Sequence, residues 1–359
     1  MSGRIRSFDL ARGLAILCVV VMHNTLVETY TPTAIWVGSL LHNMGTVGVP
    51  IFFFLAGYFS AFDEQQSLWI FMWRKVIRVL MPAWLWTIAF WILLGLTGTE
   101  RDLDPRELPS RLLWLSNPSQ YYYVFVLMSL YPVSYWARRL PLRICGRLAL
   151  SMLTINMVVI AAYEVAIWCA EARGLPADPL YRNPLAWAGF FFYGLYVAHA
   201  DRTLSDGVFG WISRYRATAT LAAALLWMLS SAETYVLFPR QAPGGQDYFK
   251  LASFGYALIA LHLVLLAARW LDQHELFIRP LTLLAEYAFF IYLIHLPLVP
   301  KIVTALTDRT ILATMLLPKM LLSITLCLAI PILSAFLFRL AFSHLAMPRK
   351  IGRAFGVPI

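Results

Sequence analysis

Apolar stretches of about twenty residues recur along the chain, each close to the length a helix needs to cross a hydrocarbon layer about 30 Å thick. They cover roughly 8–27, 38–62, 75–97, 119–137, 148–170, 184–200, 216–237, 249–270, 280–304 and 311–342. In lipid, every backbone N–H and C=O of such a run must find its partner inside the protein, and a helix satisfies them locally. The expected fold class is therefore all-α, a polytopic integral membrane protein of about ten transmembrane helices. The last stretch holds Pro318 and Pro331, so it is expected to tilt or kink. At 60% hydrophobic and 13% charged over 359 residues, the composition lies outside that of soluble domains. Residues 1–345 are read as a single transmembrane domain and 346–359 as a short basic cytoplasmic tail.

The net charge of +10 does not point to nucleic acid, because the basic residues cluster in short loops between apolar runs. With the N-terminus placed in the cytoplasm, nineteen of the 29 Lys and Arg fall on the inner side. That bias fits an even number of spans with both termini cytoplasmic. Acids gather in the opposite loops: Glu100, Asp102, Asp104 and Glu107 in one, Glu171 and Asp178 in another. The longest outer loop, about 98–118, could cover an outer mouth. Cys18, Cys145, Cys169 and Cys327 form no C-x-x-C pair, so neither a zinc site nor a disulfide framework is indicated. Met22-His23-Asn24-Thr25-Leu26 offers no small-residue cleavage site, and the first span is expected to be retained.

The first span carries a cation and an imidazole, and charged or titrating groups inside spans are costly enough to be mostly functional. Arg12 and His23 are eleven positions apart. On a regular helix they end within roughly 20° of one face and about 16 Å apart along the axis. Arg12 is thus expected at the inner rim and His23 beyond the bilayer centre on the same stripe. Asp9 shares a face with Arg12 and can pair with it, or it can simply favour the helix dipole. His23 could bridge two helices; the functional alternative is a neutral general base for a hydroxyl. Lys75 and Arg78, with Arg74 beside them, share a face at the inner end of the third span. They read either as ordinary topology signals or as a phosphate clamp. Gly57, in Phe52-Phe53-Phe54-Leu55-Ala56-Gly57-Tyr58, would let a neighbouring helix or a ligand approach closely. In the ninth span, Tyr292-Leu293-Ile294-His295-Leu296-Pro297 puts His295 about 22 Å beyond Pro280, at a depth similar to His23. Glu164, His262 and Glu286 are further intramembrane polar residues for which the sequence names no partner.

Taken together these stretches resemble the membrane-bound acyltransferase-3 family, whose members include O-antigen and exopolysaccharide O-acetylases and glucan succinyltransferases. The resemblance rests on Asp9-Leu10-Ala11-Arg12-Gly13 with His23 downstream, and on the Phe52–Tyr58 run. It extends through Lys75-Val76-Ile77-Arg78 followed by Pro82, Tyr121-Tyr122-Tyr123, Phe191-Phe192-Tyr193-Gly194-Leu195-Tyr196, and Tyr292-Leu293-Ile294-His295-Leu296-Pro297.

Such a resemblance implies transfer of an acyl group, usually acetyl, from cytoplasmic acyl-CoA to a hydroxyl of a carbohydrate or glycoconjugate at the outer side of a bacterial inner membrane. Carried over by residue, it makes His23 the essential histidine and Arg12, with Asp9, its partner towards the CoA side. Lys75 and Arg78 become the basic pair at the inner mouth, and Gly57, Tyr123, Tyr292 and His295 further pocket residues. It implies no metal and no nucleic acid, with the lipid bilayer as surroundings. Homo-oligomerisation is left open. Three positions depart from the family pattern: Lys75 replaces an arginine, Ala56 a serine, and Tyr a tryptophan near span four. They bear on the donor and the subfamily. A multi-span transporter or flippase of a glycan precursor would suit the same spans, although no paired Gly/Pro-interrupted segments occur in corresponding halves. A non-catalytic scaffold for glycan synthesis would tolerate loss of both His23 and His295.

Overall fold

The computed structural model describes residues 2–25, 31–63, 67–96, 104–115, 119–169, 178–203, 210, 213–237, 248–307, 316–344 and 354–357. Among them the regular structure is helical throughout. The elements are α1 (Ser2–His23), α2 (Pro32–Gly45), α3 (Gly48–Ser60), α4 (Leu68–Lys75), a π-helical turn (Val76–Leu80), α5 (Met81–Leu96), α6 (Leu108–Trp114) and α7 (Tyr122–Ala137). They continue with α8 (Leu142–Trp168), α9 (Asp178–Tyr181), α10 (Ala188–Thr203), α11 (Arg216–Leu237), α12 (Leu251–Leu271), α13 (Glu275–Thr307) and α14 (Leu316–His344). Loop acids Glu100, Asp102 and Glu171, and the tail at 346–359 apart from 354–357, lie outside the described residues.

Seven stretches among the described residues are long and apolar enough to cross a membrane: Pro32–Ser60, Leu68–Leu93, Leu142–Trp168, Arg216–Leu237, Leu251–Leu271, Glu275–Leu296 and Leu317–Leu340. The other three expected spans fall on α1, α7 and α10. α1 carries Arg6, Asp9 and Arg12 in its own length, and α7 and α10 have 16 residues each. At 1.5 Å per residue, a helix that short covers only about 24 Å. Two boundaries moved for local reasons. α2 begins at Pro32 because Thr31 accepts a hydrogen bond from the Ala34 N–H at 3.2 Å, and proline suits the first helical position. α1 ends at His23, so the imidazole sits at a helix terminus and not within the body of a span.

The burial pattern is inverted relative to a soluble protein. Trp69, Leu96 and Leu276 are largely exposed, whereas Asn43, Asn156, Ser230, Thr234 and Lys250 are fully buried. Lipid selects that arrangement, because apolar surface costs nothing in hydrocarbon and polar groups must be satisfied inside.

The chain divides into two compact units, Met1–Asp63 with Val133–Ala285, and Glu64–Pro132 with Glu286–Ile359. In the first unit α10 packs on α3 and α8, while α1 packs on α2, α3 and α12, and α11 lies against α2 and α12. Two of these contacts are backbone against backbone. A Cβ added at Gly57 of α3 would collide with the Phe191 carbonyl of α10, and one added at Gly194 of α10 would collide with the Phe54 carbonyl of α3. Gly45 and Gly48 bring α2 and α3 equally close to α1: a Cβ at Gly45 would lie 2.8 Å from Met22 Cβ, and one at Gly48 2.8 Å from Val19 Cγ2. Between helices in lipid, close packing of small residues replaces the hydrophobic drive available in water.

In the second unit Trp84 Nε1 donates to the Leu112 carbonyl at 2.9 Å and Trp86 Nε1 to the Phe355 carbonyl at 3.1 Å. Tyr121 donates to the Leu293 carbonyl at 2.8 Å. These bonds tie α5, α6 and the start of α7 to their neighbours and satisfy the three donors that make them.

Candidate functional site

α1 is uninterrupted from Ser2 to His23, so the helical relation between Arg12 and His23 holds: three turns, about 16 Å, one stripe. Arg12 donates to Asp9 Oδ1 at 3.1 Å, with about a third of each side chain exposed. Its guanidinium lies 5.7 Å from the centroid of the Phe59 ring. Phe8 reinforces that corner, 4.4 Å from Tyr58 and 5.8 Å from Phe59 by ring centroids. Arg12 is therefore oriented by a carboxylate and an aromatic face while its side chain stays partly exposed. Directly behind it, a Cβ at Gly13 would collide with the Leu281 carbonyl, so this part of α1 is pressed against the opening turns of α13.

His23 is exposed at the carboxyl end of α1. Three carbonyls of the last turn are capped from the residues that follow. Asn24 Nδ2 reaches the Val20 carbonyl at 2.7 Å, the Asn24 N–H the Val21 carbonyl at 3.0 Å, and Thr25 Oγ1 the Met22 carbonyl at 3.1 Å. The helix stops without a glycine because these two polar side chains take over its orphan acceptors.

Lys75 and Arg78 were expected to share one face of a regular helix. The helix instead opens into the π-helical turn immediately after Lys75. Such wide turns arise at functional positions more often than elsewhere. Lys75 Nζ sits 4.9 Å from the Phe71 ring and 4.7 Å from the Tyr131 ring, half-buried, while Arg78 is exposed. The two cations thus have different surroundings, one held by aromatic faces and one open.

Gly57 admits a helix, α10, as its close neighbour. Tyr123 is half-buried, with its ring 5.6 Å from Tyr292 in an edge-on contact. Tyr292 donates to the Gln120 carbonyl, and its ring stacks on Phe289 at 6.1 Å. His295 is fully buried, with Nδ1 3.0 Å from the Ile291 carbonyl and 3.1 Å from the Tyr292 carbonyl of its own helix. Carbonyls only accept, so Nδ1 carries the proton. Tyr123, Tyr292 and His295 form one aromatic and imidazole layer in the second unit.

Partners that the sequence could not name are now visible. Glu164 accepts from the Leu251 N–H at 2.8 Å and caps α12. His262 keeps Nδ1 on the Leu258 carbonyl at 2.7 Å, which leaves Nε2 to accept from the Tyr193 hydroxyl at 2.6 Å. Glu286 pairs with Arg339 at 2.6 Å. These three residues serve the scaffold.

Two polar residues of the interior escaped the sequence reading. His42 is buried with Nδ1 2.9 Å from the Met22 carbonyl. Lys250, wholly buried, donates to Asn43 Oδ1 at 2.9 Å, to the Ser230 carbonyl at 3.1 Å and to the Thr234 hydroxyl. Their only signal in the sequence was polarity at positions where an apolar span was expected. The four cysteines are free thiols, and among the described residues no group of three or more His, Cys, Asp or Glu could hold a metal.

A family model described as an acyltransferase domain matches residues 5–339 and so runs through every element from α1 into α14. No curated protein and no solved structure gives a significant match.

Proposed function

We propose, for a chain that belongs to the membrane-bound acyltransferase-3 family, that it moves an acyl group, acetyl by default, from cytoplasmic acyl-CoA to a hydroxyl of a carbohydrate or glycoconjugate at the outer side of the membrane. Family membership makes it a membrane acyltransferase; donor, acceptor, orientation and residue roles are our reading. One observation carries it: Arg12 and His23 lie on one unbroken helix, on the same stripe, and both side chains are accessible.

In this reading both termini are cytoplasmic and Arg12, steered by Asp9 and Phe59, binds a phosphate of the donor. A forked guanidinium suits that task. Lys75 and Arg78 are read as the family's basic pair, whose charge suits an anionic donor. His23 takes the proton from the acceptor hydroxyl as its oxygen attacks the thioester carbonyl carbon. The C–S bond then breaks, and the imidazolium returns its proton to the departing CoA thiolate. The new bond is an ester, the broken one a thioester, and no redox partner is required. Tyr123, Tyr292 and His295 are read as further pocket residues, of which Tyr123 is the half-buried one. A bacterial inner membrane is the proposed location.

The test is to incubate vesicles containing the purified protein with radiolabelled acetyl-CoA and a surface-glycan acceptor. Label esterified to the glycan is the expected result. Passage of unmodified glycan precursor across the vesicle, with no label transferred, would show a transporter and overturn the reading.

A further inference from the structure

The peptide group that joins Met22 to His23 is gripped from a second helix. Its carbonyl oxygen is bonded by Thr25 Oγ1 at 3.1 Å and, from α2, by His42 Nδ1 at 2.9 Å. The other end of that same peptide plane is the nitrogen of His23. A rotation of the plane would swing the His23 side chain, and a bond from a fixed neighbour opposes it. Because a carbonyl cannot donate, His42 must keep its proton on Nδ1. His42 is buried, 4% exposed, so this bond is shielded from competition by water.

α2 is itself anchored on both sides. Towards α1, Gly45 lets the two backbones touch, with the position of a Cβ 3.0 Å from the Met22 nitrogen. Away from α1, Asn43 spends its whole amide on neighbours. Nδ2 donates to the Ser39 carbonyl and the Thr234 hydroxyl, each at 2.8 Å. Oδ1 accepts from Ser230 at 2.6 Å and from Lys250 Nζ at 2.9 Å. Trp227 Nε1 adds a bond to the Leu40 carbonyl at 2.8 Å, and Tyr256 one to the Met44 carbonyl at 3.1 Å. A buried lysine with three acceptors is a costly fixture, and its effect here is to hold the helix segment that carries His42.

We infer that His42 is the positioning residue of His23: it fixes the Met22–His23 peptide plane, with the Lys250–Asn43 knot as its abutment. The inference rests on the reading of His23 as the base for transfer. A misplacement of about 1 Å in a reacting group can cost on the order of a hundredfold in rate. The leverage of His42 is therefore on the chemical step and not on binding of the donor.

Four single variants, one double variant and one spectrum decide the matter in the purified full-length protein. His42→Leu keeps side-chain bulk and removes the donor; kcat is expected to fall about 10- to 100-fold with the KM for acetyl-CoA within about twofold of wild type. His42→Asn offers an amide N–H close to where Nδ1 was, and should recover most of the lost kcat. Thr25→Val removes the other donor to the same carbonyl and should give a smaller fall of the same kind, readable even where His42→Leu does not fold. In a His23→Ala background, His42→Leu should add nothing. Wild-type kcat in His42→Leu overturns the inference, as does a well-folded His42→Asn protein as slow as His42→Leu. The 15N spectrum of histidine-labelled wild-type protein should show buried rings protonated at Nδ1 for His42, His262 and His295, and His42→Asn should remove one of these signals. A His42 signal bare at Nδ1 would overturn the contact itself. Normal transfer by His23→Ala would instead sink the reading of His23 and leave that spectral result standing.

Discussion

Gly57 and Gly194 each receive the other helix's backbone: the Phe191 carbonyl fills the place of a Gly57 Cβ, and the Phe54 carbonyl that of a Gly194 Cβ. Each glycine stands three residues after the aromatic whose carbonyl is pressed on the other helix, so α3 and α10 meet in a reciprocal pair of contacts one turn apart. The aromatic runs surrounding both glycines supply the packing on either side, as in the stacking of Phe53 on Trp187 at 5.2 Å. Backbone cannot yield as a flexible side chain can, and overpacking here has to push two helices apart.

Gly57→Ala and Gly194→Ala should therefore each destabilise the protein by about 1–3 kcal/mol, read as lower thermal unfolding temperature in detergent. The double variant should lose less than the sum, because one displacement of the helices relieves both collisions. Unchanged unfolding in either single variant would mean that α3 and α10 do not approach so closely.

Replacing His23 by alanine should reduce acyl transfer by about 10²–10⁴-fold, the usual share of a general base. His23 is exposed at the end of α1, and its removal opens no cavity, so expression and insertion should match wild type. A well-inserted, active His23→Ala protein would remove the proposed base.

Arg12→Ala should raise the KM for acyl-CoA about tenfold or more, the scale of one charge-assisted hydrogen bond. Arg12→Lys should recover part of it, since the charge remains but the fork is lost. Asp9→Asn should have a smaller effect in the same direction through the 3.1 Å contact that orients Arg12. Equal donor KM in wild type and Arg12→Ala would leave Arg12 a topological charge.

Lys75→Ala and Arg78→Ala should differ in kind. Lys75 is braced by Phe71 and Tyr131, so its loss should lower both donor affinity and thermal stability. Arg78 is exposed, and its loss should change donor affinity alone, an effect that fades as salt is raised. Matching stability losses in the two variants would contradict the different surroundings of the two cations.

Lys250→Met should cost roughly 1–3 kcal/mol by removing one buried, charge-assisted hydrogen bond each from Asn43 Oδ1, the Ser230 carbonyl and the Thr234 hydroxyl. Chemical unfolding against an exposed control, Arg106→Met, would isolate the effect.

An all-helical chain able to cross a membrane was legible from the sequence, because hydropathy and helical period are local properties and each apolar run declares itself. The stretch 216–237 coincides with α11 to the residue, and the angular relation of Arg12 to His23 followed from their spacing once the helix was continuous. The Thr31-Pro32 cap was also present in the sequence, although the expected span began six residues later. Only the tertiary structure decided what each polar residue inside those helices is for. His262 and Tyr193 are 69 positions apart, Lys250 and Asn43 207, and nothing in the local pattern of either partner points to the other. Side-chain partners are chosen by which helix faces come together, and that depends on small residues such as Gly45 and Gly57 permitting contact. Hydropathy treats such glycines as neutral, so His42 looked like any polar residue in a span until the approach of α2 to α1 put its ring on the Met22 carbonyl.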